Sequence, residues 1–167
     1  FNTALLHSNI MGDENTGATL TPIYQSSAFY QTSAEQHEKL FNNKATGFSY
    51  TRINNPTVLA FENRMSSLEN GLVSVACASG MAAITNALLN IVCAGQEIIA
   101  STSLYGGSID VFHDFEAFGI KTVFVDISDE EAVRAAINEN TRVIFAETIG
   151  NPKLDVVDIE KLSKLAH

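Results

Sequence analysis

Glu147 and Asn151 lie in the segment ETIGNP, residues 147–152, directly after a run of Val, Ile and Phe. A carboxylate and an amide at the end of an apolar run have two interpretations. They close a plain turn, or they face a ligand that needs both a hydrogen-bond acceptor and a donor. The segment alone does not decide between these alternatives, so the decision depends on the elements around it.

The segment ASGMAAI, residues 78–84, joins an apolar run to a helical pattern. Free backbone N–H groups at a helix N-terminus hold an anion such as phosphate, and the helix dipole favours that anion. Gly80 permits a close approach, and Ser79 adds a hydroxyl group. An ordinary strand-to-helix turn is the alternative. The segment matches neither G-x-G-x-x-G nor G-x-x-x-x-G-K-[ST], so loops that bind dinucleotides or nucleotide phosphates lose support.

Two further segments place aromatic rings beside polar or flexible positions. Tyr50 and Arg52 are alternate residues of FSYTRINNPT, so an extended backbone would direct both side chains to one side. A phenol and a guanidinium on one side suit an anion, whereas a surface ion pair is the alternative for Arg52. Tyr105 precedes two glycines in SLYGGS, where its ring either stacks on a planar ligand or packs against the protein.

Apolar runs and helical patterns alternate along the chain after residue 55. Asn55 and Pro56 open the first helix as its N-cap and first residue. The predicted strands are 72–78, 97–101, 121–127 and 141–147. The predicted helices are 56–69, 80–94, 108–118, 128–140 (opened by Ser128 and Glu131) and 158–167, and residues 1–33 form an irregular arm. This order predicts an α/β fold with a parallel-rich sheet covered by helices on both faces.

Ligands of such sheets bind at the carboxyl ends of the strands. Three segments follow predicted strands in this way: residues 79–81, 103–107 and 147–151. The topology therefore favours a ligand-binding role for Glu147 and Asn151.

Composition excludes several classes of partner. A formal net charge of -9 leaves no basic stripe for a nucleic acid or an anionic membrane. No apolar run is long enough to cross a bilayer, and no signal peptide is recognisable. Cys77 and Cys93 match no zinc motif and are typical of small thiols in a reducing, cytoplasmic environment. The four histidines are scattered without metal-ligand spacing.

Taken together and in order, the motifs resemble the PLP-dependent enzymes of Cys/Met metabolism. The resemblance covers essentially the whole chain and is carried by PIYQSSAFY, YTRINNPT, SLENG, ASGMAAI, SLYGGS, ETIGNP and DVVDIEKLSKLAH. It implies that residues 56–167 are the N-terminal part of an aspartate-aminotransferase-like large domain that binds pyridoxal 5'-phosphate. Residues 1–55 would then be an N-terminal arm that contacts another subunit.

The resemblance implies a shared phosphate site. Gly80 and Met81 match residues whose backbone amides hold the cofactor phosphate. Tyr50 and Arg52 match a pair that reaches this phosphate from the neighbouring subunit. The family's homo-oligomers, expected here as a dimer of dimers, therefore build each site across two chains.

The resemblance also assigns roles around the cofactor ring. Tyr105 matches a tyrosine that stacks on the pyridine ring and assists proton transfer. Asn151 matches a residue near the phenolic oxygen, and Glu147 matches an acidic residue close to the ring. ETIGNP would then be part of the cofactor wall.

Within the family, YTRINNPT and LYGGS are most similar to the sulfhydrylase branch. Methionine gamma-lyases carry a cysteine soon after the stacking tyrosine, where this chain has Gly106 and Gly107. The implied reaction is γ-replacement, in which O-acetylhomoserine and sulfide give homocysteine and acetate. The alternatives are cystathionine gamma-synthase, cystathionine gamma-lyase or methionine gamma-lyase activity, a non-catalytic phosphate-binding half-domain, and a nucleotide-binding doubly wound domain.

The chain departs from the family in one respect. The motifs that hold the cofactor lysine, the aspartate that pairs with the pyridine nitrogen, and the arginine that binds the substrate carboxylate do not occur. All the lysines lie in other contexts: Lys39, Lys44, Lys121, Lys153, Lys161 and Lys164. We therefore expect the 167 residues alone to be inactive, and their four-stranded sheet to leave an unpaired edge.

Overall fold

The computed structural model describes residues 1–8 and 12–167. The chain divides into two compact units, Phe1–Ala76 and Cys77–His167. The sequence-based boundary between an arm of residues 1–55 and a domain of residues 56–167 stays a prediction.

The first unit contains helices α1 (Asn2–His7), α2 (Ala34–Phe41) and α3 (Pro56–Leu68). Helix α3 begins as predicted, because the side chain of Asn55 accepts a hydrogen bond from the Thr57 amide at 2.8 Å. Asn55 is 3% exposed, and its amide group donates to the Tyr24 carbonyl. The expectation of an irregular stretch over residues 1–33 missed α1.

The second unit is an α/β structure, which confirms the predicted fold class. Its three parallel strands stand in the order β2-β1-β3. The strands are β1 (Glu97–Ser101), β2 (Lys121–Val125) and β3 (Thr141–Phe145). The helices are α4 (Gly80–Ile91), α5 (Gly106–Glu116), α6 (Glu130–Ala136) and α7 (Ile159–Ala166).

Strand β1 is central and wholly buried. Ile98 and Phe112 are both 0% exposed, and Phe112 of α5 packs edge-on against Phe145 of β3 with ring centroids 5.1 Å apart. Burial on both faces explains why the centre of EIIAS, residues 98–100, is continuously apolar rather than alternating. The packing fixes the start of α5 close to the carboxyl end of β1.

The predicted strand at residues 72–78 is wrong. Leu72 is 96% exposed and Val75 is 79% exposed, and the segment forms no strand. The Ala76 amide instead donates to the Glu62 carboxylate at 2.8 Å. Apolar side chains give a segment the composition of a buried strand, but a strand also needs a neighbour that pairs with its backbone.

The start of α6 differs from its prediction. Asp129 is the N-cap, and its carboxylate accepts a hydrogen bond from the Ala132 amide at 3.1 Å. Ser128 does not cap the helix, because its hydroxyl donates to Asp126 at 2.7 Å. The capping-box prediction with Ser128 and Glu131 is therefore wrong.

Helix α6 also ends at Ala136 instead of near Asn140. The Asn138 side chain accepts a hydrogen bond from the Asn140 amide at 2.9 Å, and the Asn138 amide donates to the Thr141 hydroxyl at 3.0 Å. These local bonds compete with the helical ones and end the helix. No helix within residues 1–8 and 12–167 has both the length and the apolar character to span a membrane.

Candidate functional site

The candidate site begins where β1 and β3 end. These strands are parallel neighbours, with Ala100 opposite Phe145, so the segments that follow them leave the same edge of the sheet. One segment contains Tyr105 and the other contains Glu147. Hydrogen bonds join this pair, while the ligand-binding role that the sequence favours for residues at these strand ends stays a prediction.

Glu147 binds the backbone at the start of α5. Its two carboxylate oxygens each lie 3.1 Å from the Tyr105 amide nitrogen. The Ser108 hydroxyl donates to Oε1 of Glu147 at 3.0 Å. Tyr105 is the N-cap of α5 but makes no capping bond with its own side chain. The carboxylate of a residue 42 positions away therefore provides the cap.

The Tyr105 ring lies against the backbone of α5. A Cβ atom at Gly107 would be 2.5 Å from Cε1 of this ring, so only glycine leaves room for it. The residue is 53% exposed. Tyr105 thus has one side against Gly107 and a phenol group that is accessible to a ligand, which agrees with the stacking alternative more than with a packed ring.

The ETIGNP segment is tied to the end of β1. The Ser103 hydroxyl donates to Oδ1 of Asp155 at 2.6 Å, and the Gly150 amide donates to the Asp155 carbonyl at 2.8 Å. A Cβ atom at Gly150 would lie 2.2 Å from the Ser103 hydroxyl oxygen. These contacts hold Gly150, and the next residue, Asn151, is exposed and precedes a cis peptide bond to Pro152.

Sequence reasoning missed Ser103, Ser108 and Asp155. Ser103 and Ser108 belong to SLYGGS and are 4% and 1% exposed. A single small polar residue gives no periodic signal, and its partner is decided by tertiary contacts. Their position within the quoted motifs is the one signal that could have indicated them.

The N-terminus of α4 has the features that bind an anion. Ser79 is its N-cap, and its hydroxyl oxygen accepts from the Ala82 amide at 3.1 Å. The amides of Gly80 and Met81 lie in the first turn, where no helical carbonyl stands four residues back. Apart from its two chain neighbours and the backbone of its own helix, no atom of the described residues lies within 4 Å of a Cβ placed at Gly80, so a ligand has access to this backbone. The residues present therefore fit a phosphate group.

Tyr50 and Arg52 come together in the first unit, although not as predicted. The segment is not extended, because the amides of Ile53 and Asn54 both donate to the Tyr50 carbonyl and close a turn. The Arg52 guanidinium carbon lies 5.0 Å from the centroid of the Tyr50 ring. Among the described residues Arg52 has no carboxylate partner, so a cation–π contact takes the place of the surface ion pair that was the alternative.

Residues 2–167 match the pattern of the Cys/Met metabolism PLP-dependent enzyme family. This chain belongs to that family. PLP is therefore the cofactor of its class, and the phosphate-binding features of α4 and the accessible Tyr105 ring agree with such a ligand.

Similar proteins of the family include two curated enzymes. The chain is 46% identical over 165 residues to an O-acetyl-L-homoserine sulfhydrylase of Leptospira meyeri, covering 98% of this chain and 37% of the relative. It is 41% identical over 152 residues to an L-methionine gamma-lyase of Fusobacterium nucleatum subsp. polymorphum. This match covers 90% of the present chain and 38% of that relative.

A solved structure has the same fold over this region. The crystal structure of a putative O-acetylhomoserine (thiol)-lyase from Campylobacter jejuni superposes with a TM-score of 0.87 at 33% identity, covering 98% of this chain and 41% of that one. That structure contains an N'-pyridoxyl-lysine-5'-monophosphate group. The chain thus spans between 37% and 41% of the length of these relatives.

Proposed function

We propose that this chain forms one wall of the site of a PLP-dependent sulfhydrylase, which converts O-acetylhomoserine and sulfide into homocysteine and acetate. The similarity to O-acetylhomoserine sulfhydrylases supports the substrate, and Gly106 and Gly107 after Tyr105 agree with that branch. The observation that carries the proposal is the hydrogen-bonded pair of Tyr105 and Glu147 at the carboxyl edge of the sheet, because the carboxyl ends of parallel strands are where α/β sheets bind their ligands.

The first turn of α4 is the proposed phosphate site. Gly80 and Met81 offer backbone amides, and the Ser79 hydroxyl group, which accepts from Ala82, still has its own proton to donate. Tyr50 and Arg52 of a neighbouring subunit complete the site in the proposed homo-oligomer, a dimer of dimers in the cytoplasm. Their stacked arrangement places a phenol and a cation side by side.

When PLP is bound, it supplies the electron sink for the reaction. Tyr105 would stack on its ring and hold or move a proton at the phenol oxygen, so we propose Tyr105 as the catalytic residue of this chain. Asn151 would bind near the phenolic oxygen of the cofactor, and Glu147 would belong to the same wall. The lysine that carries the cofactor lies outside residues 1–167 in this proposal.

The test uses the complete protein that contains this chain, purified with PLP. We expect homocysteine to form from O-acetylhomoserine and sulfide, and Arg52→Ala to weaken PLP binding because a phosphate contact is lost. Arg142→Ala is the matched control, because the Arg142 guanidinium binds the carbonyl groups of Glu139 and Thr141 instead. Borohydride reduction and peptide mass spectrometry then locate the modified lysine. A phosphopyridoxyl group on any lysine of residues 1–167 would contradict the proposed division of the site.

A second candidate is methionine gamma-lyase activity, which the similarity to L-methionine gamma-lyases supports. The same protein incubated with methionine and water, with no sulfide added, would then release a thiol, ammonia and a 2-oxo acid. Turnover of methionine that exceeds turnover of O-acetylhomoserine would decide for this alternative.

A further inference from the structure

We propose that Glu147 is a positioning residue, which fixes Tyr105 for the reaction by capping α5 instead of acting on the reacting atoms itself. The inference rests on the proposed function for the catalytic part of its claim. The structural part, that the Glu147 carboxylate immobilises the Tyr105 backbone, stands on the hydrogen bonds of the second unit.

Two hydrogen-bond donors of α5 hold the Glu147 carboxylate at the start of this helix. The Tyr105 amide is shared between both oxygens at 3.1 Å, and the hydroxyl of Ser108 reaches Oε1 at 3.0 Å. Ser108 is 1% exposed, so this hydroxyl has no access to water as an alternative partner. The carboxylate thus binds two donors of one helical turn, at the end of the helix where the dipole favours a negative charge.

Helix α5 depends on this carboxylate because its own first residues lack caps. The N-cap is Tyr105, whose side chain makes no capping hydrogen bond, and the next two residues are Gly106 and Gly107. Glycine leaves the backbone with more freedom than any other residue, so the two glycines by themselves do not hold Tyr105 in place. A cap from the end of β3 supplies the missing restraint.

The segment that follows β3 is itself anchored, so the restraint that Glu147 places on Tyr105 is a stiff one. The Ser103 hydroxyl binds Asp155, and the Asp155 carbonyl accepts from the Gly150 amide. The segment after β3 is therefore fixed to the segment after β1 on both sides of Tyr105. Loss of the Glu147 carboxylate would release the Tyr105 amide and the Ser108 hydroxyl while the bonds of Ser103 and Gly150 remain. A displacement of about 1 Å at a reacting group lowers a rate by roughly a hundredfold.

The experiment compares Glu147→Ala with Glu147→Gln in the complete protein. Glutamine keeps an oxygen that accepts from the Tyr105 amide, and its NH2 group can donate to the Ser108 oxygen, so it should restore most of what alanine loses. Asp129→Ala is the control for the loss of a helix-capping carboxylate elsewhere, since Asp129 caps α6 with its own side chain through the Ala132 amide. Should Glu147→Ala fail to fold, Glu147→Asp, with a carboxylate one methylene shorter, replaces it with the same expected direction.

Two readouts separate positioning from general stability. The first is hydrogen–deuterium exchange of residues 104–109 without cofactor, which we expect to become roughly tenfold faster in Glu147→Ala and to stay unchanged in Asp129→Ala. The second is kcat/KM for O-acetylhomoserine, which we expect to fall about tenfold or more in Glu147→Ala. In a Tyr105→Ala background, Glu147→Ala should lower kcat/KM little further, because Glu147 acts on the reaction only through the Tyr105 side chain that this background lacks.

The possible outcomes have distinct meanings. Unchanged exchange at residues 104–109 in Glu147→Ala would overturn the inference, and so would a loss of kcat/KM of equal size with and without Tyr105. A wild-type protein that shows the protected exchange but no sulfhydrylase turnover would instead overturn the proposed function and leave the structural cap intact. Rescue by Glu147→Gln in both readouts supports positioning.

Discussion

At the residue scale, Gly107 determines how the Tyr105 ring can lie. The ring occupies the space in which a side chain at residue 107 would begin, and the nearest contact would be 2.5 Å to a ring carbon. Such a distance lies well inside the van der Waals contact of two carbon atoms. The ring must therefore move when residue 107 acquires even a methyl group.

Gly107→Ala should consequently reduce activity without a loss of fold. We expect kcat/KM of the complete protein to fall roughly tenfold, because the phenol is displaced from its working position. Gly106→Ala is the matched control, since a Cβ at that position would meet no atom within 4 Å in the described part of the chain beyond its chain neighbours and its own helix backbone. Both changes raise helix propensity by a similar amount, about 1 kcal/mol. Equal activity in the two variants would contradict a role for the ring position.

At the element scale, the amino ends of the strands are joined by Glu97 of β1. Lys121 of β2 donates to Oε1 of Glu97 at 2.8 Å, and Asn138, in the loop before β3, donates to Oε2 at 2.7 Å. The hydrogen bond from Lys121 is the main cause that holds the pKa of Glu97 below its ordinary value, and the bond from Asn138 is the second. One carboxylate thus connects β1 with the elements at both edges of the sheet.

This pKa shift predicts how the stabilisation depends on pH. A lowered pKa in the folded state means that the ionised Glu97 stabilises the fold above its unfolded pKa, and that this contribution disappears as pH falls through the folded pKa. We expect Glu97→Gln to lower the thermal midpoint at neutral pH, with the difference from wild type shrinking in acid. Differential scanning calorimetry of wild type and variant from neutral pH down to about pH 3 measures the two thermal midpoints and the change of their difference with pH.

The control for this prediction is Glu131→Gln in α6. Glu131 is exposed and forms no ion pair among the described residues. A thermal midpoint difference for Glu97→Gln that stays constant throughout the acid range, or that matches the control, would contradict the proposed link between the strands.

At the scale of the whole molecule, residues 1–167 expose large apolar side chains that a folded domain usually covers. Leu72 and Val75 are 96% and 79% exposed, and β2 and β3 are the edge strands of the described sheet. Unpaired strand edges and apolar surface promote association. Relatives of this chain are more than twice as long, so further protein is available in them to cover such surfaces.

We therefore expect a polypeptide of residues 1–167, produced on its own, to associate or aggregate. Light scattering after size-exclusion chromatography would show species larger than 18.0 kDa. A dye that binds apolar surface should fluoresce with this polypeptide and much less with the complete protein. A monodisperse monomer with one sharp cooperative thermal transition would refute the expectation.

The pattern of neighbouring residues in the sequence by itself determined most of the helices and strands. It also determined the enzyme family and hence the cofactor class. The runs EIIAS and TRVIF and the cap at Asn55 predict β1, β3 and the start of α3 because burial, period and capping depend on near neighbours in the chain. The ordered motifs indicate the PLP-dependent family for a similar reason, since each motif is a short run of neighbouring residues.

The tertiary structure alone decided which groups meet. The bond between Tyr105 and Glu147 spans 42 positions, and it depends on β1 and β3 being adjacent and parallel. The absence of a strand at residues 72–78 was decided in the same way, because an apolar run becomes a strand only beside a backbone that pairs with it. Side-chain type is a local property, whereas a hydrogen-bond partner or a strand neighbour is set by the packing of distant segments.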